Sequence, residues 1–269
     1  MSEETTKRSP GLTSMEGMIC NANMVLTDAL RPSIRGVPKG YFMTCAGICI
    51  MTTVQAGMIF SGSVGTGIFM RRNLDGSWSN PVAVGISGIG FGFVFGANVK
   101  DVIIFFPDDK SIETMFSRGV ELSASTQVTA VVGREFEGAV GASGSGTSAL
   151  ISYAYSKGAF IGLSMQGAIV GPRTKANETF YGPGNSDPAK IIQGEIQFPT
   201  VKPTLIDDVK EKLDKCAKGI SEKPSDANAD AAKVDAAMKH AEEAAGVVNS
   251  MTEVQHVDIA AEASKEQGN

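Results

Sequence analysis

Histidine is nearly missing from this chain: its two copies, His240 and His256, stand near the C-terminal end, and the glycine-rich middle has none. A Ser-His-Asp or Cys-His centre in that middle is therefore excluded on inventory alone. Cysteine is scarce as well. Cys20, Cys45, Cys49 and Cys216 show no CxxC or zinc-like spacing and no neighbouring histidine, which argues against a metal centre and for no cofactor. Cys45 and Cys49 are expected on one face of a strand, packed as small hydrophobes. A basic surplus is absent too. The net charge of −5 divides as +1 over residues 1–40, −1 over 41–199 and −5 over 200–269. Nucleic-acid binding needs a basic face, so that class is excluded. The opening residues, Met-Ser-Glu-Glu-Thr-Thr-Lys-Arg, carry no apolar signal core and no myristoylation glycine, so a reducing, cytosolic setting is expected.

Long apolar helices are also lacking on inspection. Tyr41–Phe60 and Val82–Val99 are uncharged and each about as long as a membrane span. Both are rich in glycine, serine or threonine, and the turn Asn73-Leu-Asp-Gly76 lies between them. Buried strands account for them better than spans.

Glycine is what the chain has in abundance, 31 residues with most of them between 41 and 199. Gly88, Gly90 and Gly92 alternate, as do Gly65 and Gly67, so one face of each strand is bare and open to close packing. Tyr153–Gly167 alternates large with small or polar residues, which predicts two strands joined by a turn at Ser156-Lys157-Gly158. Ahead of this β region, Leu12, Met15, Ile19, Ala22, Leu26 and Leu30 recur at helical steps. Thr13 and Glu16 form a candidate capping box, Pro32 ends the helix, and Arg31, Arg35 and Lys39 follow it. Short helices are expected at Asp109–Ser117 and Asp187–Gln193.

After Phe198 the composition changes. Leu205, Val209, Leu213, Cys216 and Ile220 make a narrow apolar stripe, and an alanine-rich acidic stretch follows. The expected division is a disordered N-terminus over 1–11, one domain over 12–199, and an acidic helical or partly disordered tail over 200–269. The fold class is α+β: a glycine-rich, strongly curved, barrel-like antiparallel sheet with an N-terminal amphipathic helix and short helices.

Other groups have plain structural readings. Gly141–Gly146 satisfies neither GxSxG nor GxxxxGK[ST], so Ser143 and Ser145 are poor nucleophile candidates. Asp108 and Asp109 read as helix-start residues, and Glu135 and Glu137 as solvated loop residues. Asp101 interrupts an uncharged run and is expected to pair with Arg71 or Arg72. Trp78 reads as locking a loop onto the core.

Four blocks, in order, resemble the SYLF domain, a lipid- and actin-binding family of yeast, animal, plant and bacterial proteins. They are Asp75-Gly-Ser-Trp78-Ser-Asn-Pro81, Gly88–Gly96 leading to Asp101, Tyr153–Gly167, and Arg173-Thr-Lys-Ala-Asn177-Glu-Thr-Phe180-Tyr181-Gly182. The resemblance covers residues 12–194. It implies a non-enzymatic, cytoplasmic, peripheral membrane module of membrane trafficking, binding phosphoinositide-containing membranes and actin filaments. The matching N-terminal region offers Leu12, Met15, Ile19 and Leu26 for acyl chains and Lys7, Arg8, Arg31, Arg35 and Lys39 for phosphates. At roughly 1 kcal/mol per cation the electrostatic part is marginal, so apolar insertion is expected to supply the rest. Two other readings stay open: a carrier holding an apolar lipid inside the curved sheet, and a serine/carboxylate hydrolase around Gly141–Gly146.

Overall fold

A computed structural model describes Gly11 and residues 13–30, 37–57, 60–141, 150–199 and 204–220. Five strands, β1 (Gly47–Gly57), β2 (Phe60–Arg71), β3 (Val82–Phe106), β4 (Val120–Gly141) and β5 (Leu150–Pro172), pair antiparallel in the order β1-β2-β3-β5-β4. The centre is the β1–β2 hairpin, with Gly47 opposite Arg71 and Gly57 opposite Ser61. β3 descends along β2, from Val82 opposite Phe69 to Phe91 opposite Phe60. It then passes the hairpin tip and returns along β1, from Gly96 opposite Gly57 to Phe106 opposite Gly47. A single strand can flank both edges of one hairpin only if the sheet curls. The predicted curved, barrel-like sheet is what forms, and the two halves of β3 make it six strand segments.

Close packing explains the bare strand faces. A Cβ at Gly67 would run into the Ile50 carbonyl and the Met51 backbone of β1, so only glycine fits there. The Tyr153–Gly167 hairpin does not form. Those residues lie within the single strand β5, where Gly158 pairs with Asn98 on one side and Gly133 on the other. The physical reason is visible in the spacing: Tyr153, Tyr155, Ile161, Leu163 and Met165 keep one parity straight through Ser156-Lys157-Gly158. With β3 and β4 supplying backbone partners on both edges, the extended chain continues. Glu135 and Glu137 likewise sit in β4, opposite Ser156 and Ala154, and not in a loop.

Val82–Val99 falls inside β3, and among the described residues no helix is long and apolar enough to cross a membrane. Tyr41–Thr44 belongs to a short helix, α2 (Lys39–Thr44), and β1 starts only at Gly47. Cys45 therefore caps α2, away from the strand face that holds Cys49. Both are buried, and burial pushes the Cys45 thiol up to about 11.

Helices cover both sheet faces. Helix α1 (Met15–Ala29) is capped by Ser14, whose Oγ accepts from Gly17 N at 3.2 Å; Thr13 is not the cap. Helix α3 (Asp109–Arg118) is capped by Asp108, which accepts from Ser111 N at 2.8 Å. It closes the face carrying Phe69 and Phe106 through a Phe69–Phe116 edge contact at 5.4 Å. On the other face Phe105 packs edge-on against Phe42 of α2 at 5.0 Å. Helix α4 (Thr174–Tyr181) follows β5, and α5 (Pro188–Ile192) is capped by Asp187.

Helix α6 (Thr204–Lys218) changes the expected boundary at residue 200. Ile206, Val209, Leu213 and Cys216 are buried, and α6 packs on α1 and α2. Its apolar stripe needs a partner and α1 provides one, so the folded domain runs at least to Lys218. The expected disordered N-terminus and the alanine-rich tail lie outside the described residues.

Candidate functional site

The apolar stripe of α1 is compatible in sequence with meeting lipid or with covering the sheet, and the structure places it in the core. Met15 is 2% exposed, and Ile19 and Leu26 are 0%. They pack with Met18, Ala22 and Val25 against β1, β2 and α6. Lys212 of α6 ties the helix down, donating to Thr27 Oγ1 at 2.6 Å and to the Asn23 carbonyl at 3.4 Å. Burying each such apolar side chain is worth roughly 1.5–3 kcal/mol. Moving α1 into a bilayer would recover that for the helix but strip its cover from β1 and β2 of the sheet. Lipid insertion by Met15, Ile19 and Leu26 is thus disfavoured in this fold.

The cations divide differently. Lys7, Arg8, Arg31 and Arg35 lie outside the described residues, as does Leu12. Lys39 is exposed at the start of α2, its alkyl chain against Gly219, where an added Cβ would meet Lys39 Cδ at 3.0 Å. Arg71 is engaged bidentately by Asp109, at 3.1 Å (Nε) and 3.0 Å (Nη2), and Asp101 instead accepts from Thr52 Oγ1 at 2.7 Å. Arg72 donates to the Phe42 carbonyl at 2.8 Å and stacks over the Trp78 ring at 5.4 Å. Asp101 therefore pairs with neither arginine. The segment 29–74 nevertheless contains five basic residues (Arg31, Arg35, Lys39, Arg71, Arg72) and no acidic one.

The sequence blocks singled out above turn out to latch onto one another. Asp75 accepts from Ser77 N and Oγ at 2.9 and 2.7 Å, which holds its carboxyl below the ordinary range. Trp78 is 4% exposed and seals the loop between β2 and β3, as expected. At the loop's end Tyr181 Oη donates to the Pro81 carbonyl at 2.6 Å, and Ala83 N donates to Asn177 Oδ1 at 2.7 Å. Arg173 N donates to the Ala83 carbonyl at 2.8 Å, and its guanidinium reaches the Thr13 carbonyl at 2.9 Å. Gly85 leaves room for the Arg173 stem, since a Cβ there would meet Arg173 Cδ at 3.1 Å. The first and last of these blocks thus act as joints.

A cleft of about 230 Å³ opens beside Arg173, lined also by Ser14, Glu16, Lys175 and Phe180. Glu16 offsets one of its two cations and Thr13 occupies the arginine, so its pull on an anion is small. Among the described residues no group of three or more His, Cys, Asp or Glu side chains could hold a metal. Residues 142–146, including Ser143 and Ser145, lie outside them.

Sequence reasoning missed a different surface. Leu74 is fully exposed at the tip of the β2–β3 turn, Met43 of α2 is 54% exposed, and Ile220 after α6 is 49% exposed. The signal was present: a leucine between Asn73 and Asp75 is an apolar residue where turn chemistry asks for a polar one.

Comparison with known proteins takes in three of the four blocks, those from Gly88 onward. Residues 87–215 match the family model described as Ysc84, Las17-binding protein actin regulator. Protein YSC84 of Saccharomyces cerevisiae is 32% identical over 172 residues, 63% of this chain and 36% of that protein. LAS seventeen-binding protein 3 of the same species is 33% identical over 165 residues, covering 61% and 36%. The SH3 domain-containing YSC84-like protein 1 of Homo sapiens is 34% identical over 148 residues, 54% of this chain and 42% of that one. The chain thus spans about a third to a half of the length of these relatives.

Proposed function

The chain belongs to the SYLF domain family, and from that premise we propose that it is a non-enzymatic binding module of the actin machinery that works at phosphoinositide-containing membranes. The relatives' names supply the actin side: a family described as Las17-binding actin regulators points to actin filaments and a Las17-type protein as partners. The fold agrees with a binding role, because its characteristic polar residues are consumed in joints such as Tyr181–Pro81 and Asn177–Ala83. The observation that carries the membrane side is the acid-free segment 29–74 with its five cations, of which Lys39 is exposed on α2. Arg31, Arg35 and Lys39 are the proposed headgroup contacts, with Lys7 and Arg8 assisting. At roughly 1 kcal/mol per cation near an anionic surface, they attract but do not anchor.

Two co-sedimentation assays on the full chain test this reading. Filamentous actin is expected to bring the protein down in a saturable manner. Vesicles containing phosphoinositide are expected to bind it more tightly than phosphatidylcholine vesicles, with the difference shrinking as salt rises. No pelleting with actin, or equal binding to charged and neutral vesicles, would contradict the corresponding half.

A further inference from the structure

The cations just described need an apolar companion, and α1 does not supply it because its apolar face is sealed in the core. We infer that the membrane-facing surface is instead the end of the domain formed by the β2–β3 turn, α2 and the end of α6. Leu74 is the point that enters the lipid, with Met43 and Ile220 beside it. This inference rests on the membrane half of the reading above and assigns it a place.

Three contacts put these residues at one end. Arg72, two residues before Leu74, donates to the Phe42 carbonyl, next to Met43. Gly76 closes on Arg72, where a Cβ would meet Nη2 at 3.4 Å. Lys39, one helical turn before Met43, lies against Gly219, which precedes Ile220.

The turn is built to hold a leucine out, not merely to tolerate one. Gly76 N donates to the Asn73 carbonyl at 2.9 Å, Asn73 N to the Ser77 carbonyl at 2.8 Å, and Asn73 Nδ2 to Ser77 Oγ at 2.9 Å. Gly76 takes φ of 83°, which a side chain would strain. Arg72 on the Trp78 ring braces the base of the turn. A fixed turn loses little conformational entropy when its tip is buried in a partner.

Charge complementarity selects the occupant. In sequence, residues 29 to 74 carry cations and no acid, and Lys39 of that stretch stands exposed on α2, one helical turn from Met43. Apolar points among cations fit an anionic phospholipid surface: the side chains reach the acyl boundary and the cations meet phosphates. Asp109 is already matched by Arg71. Asp75 is the opposing charge at the tip, kept ionised by Ser77.

The test uses the full chain and vesicles of phosphatidylcholine alone, or with added phosphatidylserine or phosphoinositide. Leu74→Glu and Met43→Glu sit at exposed positions and should leave the melting temperature unchanged. Each is expected to weaken binding to charged vesicles by about tenfold or more, with actin pelleting unaffected. Asp75→Asn keeps an acceptor for Ser77 N and is expected to strengthen binding by about fivefold. If the wild type binds charged vesicles and Leu74→Glu and Met43→Glu bind equally well, this surface is wrong while the membrane reading stands. If the wild type binds no vesicle, both fall. Loss of actin pelleting with vesicle binding retained would make this end a protein interface and overturn the inference.

Discussion

Tyr181 and Pro81, 100 residues apart in sequence, are joined by a buried hydrogen bond of 2.6 Å from the phenol to the carbonyl. Burial pushes the Tyr181 hydroxyl well above its ordinary value, so it stays a donor throughout the usable pH range. This bond and Asn177–Ala83 fasten α4 to the start of β3, and through Arg173 to the N-terminus of α1.

Removing the phenol should therefore weaken the fold without touching the surface. Tyr181→Phe leaves the Pro81 carbonyl unpaired, at a cost of about 1–2 kcal/mol. Asn177→Leu strands the Ala83 amide and costs at least as much. Urea denaturation followed by circular dichroism measures both, and vesicle and actin binding of the still-folded variants should match wild type.

Helix α6 belongs to the domain, and its loss should show it. Leu213→Ala removes a fully buried side chain from the α1–α6 contact, a change expected to cost about 2–5 kcal/mol. If α6 were a tail, the unfolding midpoint would not move.

Cysteine reactivity provides a check on burial. Cys20 is exposed on α1, whereas Cys45, Cys49 and Cys216 are buried. A thiol reagent near neutral pH should label the native protein once, at Cys20, and all four sites after denaturation. For Cys45 the folded value, about 11, lies above the ordinary 9.0 because burial disfavours the thiolate. The neutral thiol is the form that folds, so its stabilisation is complete below pH 9 and is lost as pH rises towards 11. Cys45→Ala should flatten the alkaline fall in stability over that window.

The ion pair between Arg71 and Asp109 links the end of β2 to the first turn of α3. Its bonding is bidentate but its side chains are 31% and 60% exposed, so Asp109→Asn should cost under about 1 kcal/mol and less in salt. The same change frees Arg71 beside the proposed membrane edge, and binding to phosphoinositide vesicles is expected to rise a few-fold.

Much of this fold was legible because its physics is local. Period-two alternation and paired glycines marked strands, caps at Asp108 and Asp187 marked α3 and α5, and uncharged runs interrupted by Gly and Thr excluded spans. What was not legible was long-range. Ser156-Lys157-Gly158 has turn chemistry, and only neighbours on both edges of β5 keep it extended. The stripe of α1 reads the same whether it faces lipid or protein, since periodicity reports that a face is apolar and not what covers it. The α6 stripe, whose Lys212 meets Thr27 of α1 across 185 residues of sequence, was what decided the matter. Leu74 was readable as an anomaly, but its exposure depends on the fixed turn around it.

Hydrogen exchange of the α1 amides, with the full chain free and bound to phosphoinositide vesicles, tests most directly whether α1 is core and not anchor. The account predicts that Met15–Ala29 stays protected in both states while the turn at Asn73–Ser77 gains protection on the vesicle. Deprotection of β1 and β2 together with new, lipid-dependent protection of a detached α1 would contradict it.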